Sequence, residues 1–554
     1  MIQIEDNINM GITFKEQLSL YLRNKRPKYP IILAEQHYKL HELSDKIHRN
    51  NLITYVDLNP NQSHLYFNWA YEAYVRSLKL VFLEAFYGII GIDNIEFVHS
   101  LFTLGDALYI EAKGNFEIDA DLVLKIKERM QNSVYADLVF TKEVVSRAMA
   151  LHVCKELKMY SKKELLEFRR VSTVTLSCLK GFKSYMAGDL AYSTGELKVF
   201  DLIPFQKGIL LLLPDRKDPL QVGKVIGLEK IYEAMHYAVD WASKIGIDTV
   251  ADLNNAIVNK DIDNIILLQE SAMERMLVEV AEEIYRHNKK IVLVAGPSSS
   301  GKTSFSMRLA IQLKTFGLHP HTISLDNYFI NREDMIPEKD GSLNFETIKV
   351  VNVELFKQNM ASILAGEEVE IPDFNFITGK QEYNGKTLKL EKDGVLIVEG
   401  IHGLNPILTD TLPDKAKFKI YVNPLTQIRL DEDTHVSVAD IRLLRRMCRD
   451  DRSRGWTPAI TIDTWGKVRD GELVNIFPYQ ENADVIFNTS LLYELLLLKP
   501  TVEPLLYSIK PNDLEYIEAR RLLKFLDFFL SYNDKTVPVN SILKEFTGGS
   551  YFDV

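Results

Sequence analysis

The sequence predicts an α/β protein. It reads as a parallel sheet with helices on both faces, preceded by a small β-rich module and an α+β domain. Three observations predict this. After residue 290, apolar runs alternate with helical stretches: IVLVA (291–295), HTISLD (321–326), VLIVEG (395–400), FKIYV (418–422) and DVIFN (484–488). Such alternation argues for parallel strands joined by covering helices. The first of these runs leads into a glycine-rich loop, GPSSSGKTS (296–304). Far upstream, YPIILAE and LITYVDL read as short strands around a polar middle.

The elements follow in order. Residues 1–60 form the β-rich module. Residues 61–240 form the α+β domain: a helix over 66–90 carries Tyr74, Leu78, Val81 and Ala85 on one stripe, and LKVFDLIPF and KGILLLLP pair as strands. Residues 241–288 link the halves, with an amphipathic helix over 260–288. Residues 289–500 hold the alternating pattern. Residues 501–554 are a helical extension, DLEYIEARRLLKFLDFFLSY and a short tail.

Length alone suggests about three or four domains. The net charge of −10 argues against broad nucleic-acid binding, since duplex binders concentrate basic surface. An RNA partner is thus not indicated by charge. Cys154, Cys178 and Cys448 are far apart and odd in number, which disfavours a disulfide framework or structural zinc and favours reduced cytosol. The N-terminus has no basic and apolar signal pattern, and the most apolar run, residues 78–92, is too short to span a membrane and carries Lys79 and Glu84. A cytoplasmic protein without a membrane partner is expected; a homo-oligomer is left open.

The loop fits G-x-x-x-x-G-K-[ST] from Gly296 to Thr303. Successive backbone N–H groups over Ser298, Ser299, Ser300 and Ser304 can form a nest for phosphate oxygens, and the next helix aims its positive end there. Gly296 and Gly301 admit a backbone approach that a Cβ would block. Lys302 is placed for the β- and γ-phosphates of ATP, and the Thr303 hydroxyl for Mg²⁺. Ligands gather at the carboxyl ends of parallel strands, where Asp326 and Glu399 follow the second and third apolar runs. Two acids beside the loop favour metal binding and proton abstraction. No NKxD guanine reader is present. Six arginines, Arg442, Arg445, Arg446, Arg449, Arg452 and Arg454, fall within thirteen positions. Held down by Ile441, Leu444 and Cys448, they suggest a lid that closes on phosphates and excludes water.

GPSSSGKT, LDNYF, NFE (344–346), PDFNF (372–376), VEG, RDDRSRG (449–455) and ADVIFN occur in the order seen in the uridine kinase and phosphoribulokinase family. Residues 290–490 resemble that family. The resemblance implies a P-loop kinase fold and ATP- and Mg²⁺-dependent transfer of the γ-phosphoryl group to a hydroxyl of a small nucleoside-like acceptor. It implies Asp326 as the catalytic acid, acting with Lys302 and Arg449 and approaching the metal. Thr303 and Glu399 fall on metal-associated positions. Glu346 falls where a carboxylate holds ribose hydroxyls, beside Tyr328 of LDNYF. Arg446, Arg449 and Arg454 fall on lid arginines that meet substrate and phosphates.

Several positions depart from the family pattern. Phe374 and Gly379 stand where pyrimidine-specific members carry a tyrosine and a histidine. Trp456 replaces a lid arginine, and Thr464 a base-reading glutamine. Phe374 and Phe376 retain the rings to sandwich a flat base, but the polar groups that would read its edge are largely missing. A sugar-phosphate acceptor stays open, as does a regulatory or RNA-binding protein that senses ATP. The front half resembles the ubiquitin-like and editing domains of threonyl-tRNA synthetase, through YVRSLKLVFLEA and YMAGDLAYSTGELKVFDL. Arg76, Leu80, Met186 and Leu190 stand where that family has metal ligands, and such a set cannot bind zinc.

Overall fold

A computed structural model describes residues 2–23, 25–225, 227–338, 341, 343–533 and 535–553. The front module is an antiparallel sheet in the order Ile2–Ile4, Ile53–Asp57, Ile31–Gln36, Leu40–Glu42. A helix, Phe14–Leu22, opens with a reciprocal cap between Thr13 and Glu16 and buries Phe14 and Leu18. The next helix, His64–Ile90, is buried on nearly every face, well beyond the single stripe expected. The α+β domain packs on it with two antiparallel sheets. One runs Asp201–Phe205, Gly208–Leu212, Ala107–Gly114, Ile95–Thr103; the other Thr141–Ser146, Thr173–Leu179, Phe182–Ser184. Leu80, Met186 and Leu190 are buried apolar side chains, and Arg76 donates to the Asp189 carbonyl at 2.6 Å.

The amphipathic helix α1 (Ile262–Arg286) leads into a five-stranded parallel sheet. Its strands are β1 (Ile291–Ala295), β2 (His319–Ser324), β3 (Gly394–Glu399), β4 (Lys417–Asn423) and β5 (Val485–Asn488), in the order β2-β3-β1-β4-β5. β1 is fully buried and parallel to both neighbours, as its unbroken apolar run requires. Helix α2 (Lys302–Thr315) follows the loop and buries Phe305, Leu309 and Leu313 against the sheet. It stops at Gly317, whose φ of +78° lets Leu318 N–H return to the Leu313 carbonyl. Helices α3 (Val438–Arg449) and α4 (Pro458–Asn475) come from the arginine-rich region. Helices α5 (Glu494–Tyr507) and α6 (Tyr516–Leu526) close the far side.

The halves are tied by buried polar contacts. The segment Asp431–Glu432–Asp433, between β4 and α3, enters the α+β domain. The Glu432 carboxylate accepts from the backbone of Ser161 and Lys162 at 2.6 and 2.9 Å. Lys162, fully buried, is ion-paired to Asp433, and Lys79 donates to the Asp433 carbonyl at 2.6 Å. Burial works against the charged Lys162, yet Asp433, Asp431 and Glu432 together hold its pKa above the ordinary lysine range. Among the described residues, no helix is long and apolar enough to cross a membrane. All three cysteines are buried and free.

Candidate active site

The loop closes over the carboxyl ends of β1, β3 and β4. Gly296 is required by proximity: a Cβ there would lie 2.0 Å from the Val422 carbonyl oxygen. Gly301 adopts φ +84° and Ser299 φ +58°, the left-handed turns that fold the loop back on itself. Lys302 lies across the loop, its ammonium donating to the Pro297 carbonyl at 3.1 Å. Burial depresses its pKa, while Glu399 and Asp326 pull it up. The Ser299 and Ser300 hydroxyls are buried without partners.

Thr303 and Glu399 meet. The hydroxyl donates to the carboxylate at 3.0 and 3.2 Å. Burial pushes the Glu399 carboxyl up to about 7, opposed by Lys302 and reinforced by Asp326. Asp326 sits on the turn that ends β2, its N–H bonded to Ser324 Oγ at 3.2 Å. Burial raises its pKa as well, against Lys302 and Arg454. Crowded acids with raised pKa values are poised to accept a cation or a proton. Glu346 is the third acid. Burial pushes it up to about 7, with Glu472 adding to the rise and Arg446 opposing it; its Oε2 is buried and unpartnered.

The arginines divide by role, which corrects the expectation of one lid. Arg442 and Arg445 are fully buried. Arg442 is paired to Glu472 and donates from Nε to the Ser298 carbonyl at 2.8 Å. Arg445 pairs with Glu494 at 2.7 Å and donates to the Thr489 carbonyl at 2.9 Å. These two fix α3 to the loop and to α5. Arg452 turns to the C-terminal tail, donating to the carbonyls of Glu545 and Phe546. Arg446, Arg449 and Arg454 face the loop. Arg446 donates to Ser298 Oγ at 2.9 Å. Arg449 is buried enough to fall to about 10, with Arg454 pushing the same way. Arg454 pairs with Asp450 at 3.0 Å. Trp456 lies under both Arg446 and Arg454, each 5.8 Å from its ring centre.

Two expectations are revised. Phe374 and Phe376 meet edge to face at 5.1 Å and 80°, so they form no parallel slot; Phe374 is buried and Phe376 exposed. Tyr328 is fully buried, its ring against Phe356 and its hydroxyl taking a bond from Asn359 at 3.3 Å. It belongs to the core beneath the site. The Thr464 hydroxyl is spent on its own helix, donating to the Ile460 carbonyl at 2.8 Å. Three neighbours of the loop carry no motif: Glu472, Ile542 and Glu545. The one visible signal for the last two is the apolar spacing of Ile542, Leu543 and Phe546 in a short tail.

The model of the Phosphoribulokinase / Uridine kinase family matches residues 291–491. A uridine kinase of Macrococcus caseolyticus is 32% identical over 197 residues, covering 35% of this chain and 86% of that protein. A uridine kinase of Pectobacterium carotovorum is 31% identical over 206 residues, covering 36% and 87%. A solved structure described as a possible uridine kinase from Bacillus stearothermophilus superposes with a TM-score of 0.27 at 15% identity, over 39% of this chain and 98% of that one. With the loop, the acids and the arginines on the same stretch, the chain belongs, through residues 291–491, to the phosphoribulokinase and uridine kinase family.

Proposed function

We propose that this protein is an ATP-dependent kinase that transfers the γ-phosphoryl group to a hydroxyl of a small nucleoside-like acceptor. The observation that carries the reading is the gathering of Lys302, Thr303, Glu399 and Asp326 at one end of the parallel sheet, with Thr303 and Glu399 in contact. Backbone N–H groups from Ser298 to Ser304 and the Lys302 ammonium receive the phosphates. Thr303, Asp326 and Glu399 offer hard oxygen donors of the kind Mg²⁺ takes, alongside water and phosphate. Bound there, Mg²⁺ supplies neutralisation of phosphate charge. The raised pKa of Glu399 fits such a site, since a cation would relieve the crowding of Glu399 by Asp326.

Asp326 accepts the acceptor's hydroxyl proton as the oxygen forms its bond to the γ-phosphorus. The bond to the β-phosphate oxygen breaks and ADP leaves. Arg449, Arg446 and Arg454 neutralise charge on the transferred group, and Glu346 receives acceptor hydroxyls. Positioning and neutralisation supply most of the catalysis in such transfers.

A sugar phosphate is the second acceptor class. The edge-to-face Phe374–Phe376 pair, which offers no slot for a base, favours it. A screen of nucleosides and sugar phosphates with ATP and Mg²⁺, scored by ADP release, decides between them. ADP release independent of any added alcohol would refute kinase function.

A further inference from the structure

The C-terminal tail is built into the loop. Ser541, Ile542, Leu543, Glu545 and Phe546 are all buried. Glu545 Oε2 accepts from the Ser304 backbone N–H at 3.3 Å and from its hydroxyl at 2.8 Å. Its Oε1 lies 3.9 Å from Arg449 Nη1. Arg452 fixes the tail backbone, donating to the Glu545 and Phe546 carbonyls at 2.7 and 3.1 Å. The Arg445 guanidinium lies 5.0 Å from the Phe546 ring centre. Ile542 presses on the loop so closely that a Cβ on Gly301 would come within 2.6 Å of it. At the other end, Ser541 bonds to Glu270 at 2.5 Å.

The placement of Glu545 is specific. Ser304 lies in the first turn of α2, whose N–H groups have no partner within the helix and form the natural seat of a phosphate. A carboxylate 241 residues away in sequence takes that donor. It does so beside Glu399, a like charge that a purely structural cap would avoid. Meanwhile the hydroxyls of Ser299 and Ser300 are buried without a hydrogen-bond partner, and the Nε atoms of Arg446 and Arg449 meet only Asp450, at 3.2 and 4.0 Å. The cradle thus holds one carboxylate where its donors suit a polyphosphate.

We propose that residues 541–548 are an internal competitor of the nucleotide: Glu545 occupies a phosphate seat of the loop, and a nucleoside triphosphate loads only as the tail withdraws. This rests on the nucleotide-binding reading of the loop. Withdrawal also frees Arg452, so loading and the arginine turn after α3 are linked through the same segment.

The test uses the full chain with ATP and Mg²⁺. Calorimetric titration should give a Kd at least tenfold lower for Glu545→Ala than for the unaltered protein. Hydrogen exchange on the unaltered protein should show residues 541–548 losing protection when ATP is added, a readout that does not depend on how the variant folds. Equal or weaker binding by a folded Glu545→Ala chain would overturn the proposal, as would a tail that stays protected with ATP bound; either leaves the kinase reading standing. If neither chain binds ATP, the nucleotide reading of the loop falls, and the competitor with it.

Discussion

If Glu346 binds acceptor hydroxyls as a carboxylate, acceptor affinity should fall as the pH drops through 7. The carboxyl is raised to about 7, chiefly by burial and then by the nearby Glu472. Lowering the pH protonates it, which removes the charge that makes its hydrogen bonds strong. For such a group about nine-tenths is ionised at pH 8 and about one-tenth at pH 6, roughly a tenfold change, or about 1.4 kcal/mol. Initial rates at pH 6, 7 and 8, with ATP and Mg²⁺ saturating, should therefore show the acceptor KM rising about tenfold toward pH 6. Glu346→Gln should bind the acceptor weakly at every pH, with a flat KM. Asp326 is also raised, but as the proton acceptor it acts on kcat, so the two profiles separate. A KM that is flat in the unaltered enzyme, or equally steep in the Gln variant, would refute the assignment.

Three further outcomes are expected. Asp326→Asn should lower kcat by about 10²- to 10⁴-fold with ATP affinity unchanged by calorimetry, whereas Lys302→Ala should weaken both. Gly296→Ala places a Cβ 2.0 Å from the Val422 carbonyl, so the loop must shift, and titration should show ATP affinity falling. Lys162→Met leaves the buried Asp433 without its ion-pair partner, at a cost of about 3–5 kcal/mol. The melting temperature should drop, and hydrogen exchange should rise over residues 429–437; pairing the change with Asp433→Leu should restore much of the loss.

The parallel sheet was legible because its central strands, β1, β3 and β4, are buried on both faces and so read as largely apolar runs. IVLVA lies at the residues expected, and the acids that end the next runs reach the loop. Where a run's end was misjudged, as at HTISLD, the last residues turn into the 3₁₀ segment that carries Asp326. The arginine cluster was legible as a cluster but not in its division. Spacing along a helix cannot show that Glu472 and Glu494, from α4 and α5, bury Arg442 and Arg445. The Phe374–Phe376 geometry was likewise invisible, since it depends on how a short hairpin folds over Phe329. The apolar spacing of the tail shows that it packs but not where, because Ser304 and the arginines it meets are distant in sequence.

The position of the loop more than halfway along the chain acquires a physical reason from the Asp431–Glu432–Asp433 segment. Three consecutive acids are buried there, and buried charges persist only when paired and hydrogen-bonded. Lys162 and Lys79, with the backbone of Ser161 and Lys162, supply partners to Glu432 and Asp433, and all belong to the front half; Asp431 accepts from the Asp433 and Thr434 N–H groups of its own turn. The segment leads directly into α3, and α3 holds the loop through Arg442 and Arg446 at Ser298. Cut away from residues 1–240, the same segment would lose Lys162 and Lys79 and keep only Arg429 nearby, and the helix that grips Ser298 would lose an anchor at its start. Front-half residues thus tether the segment from which the arginine helix starts.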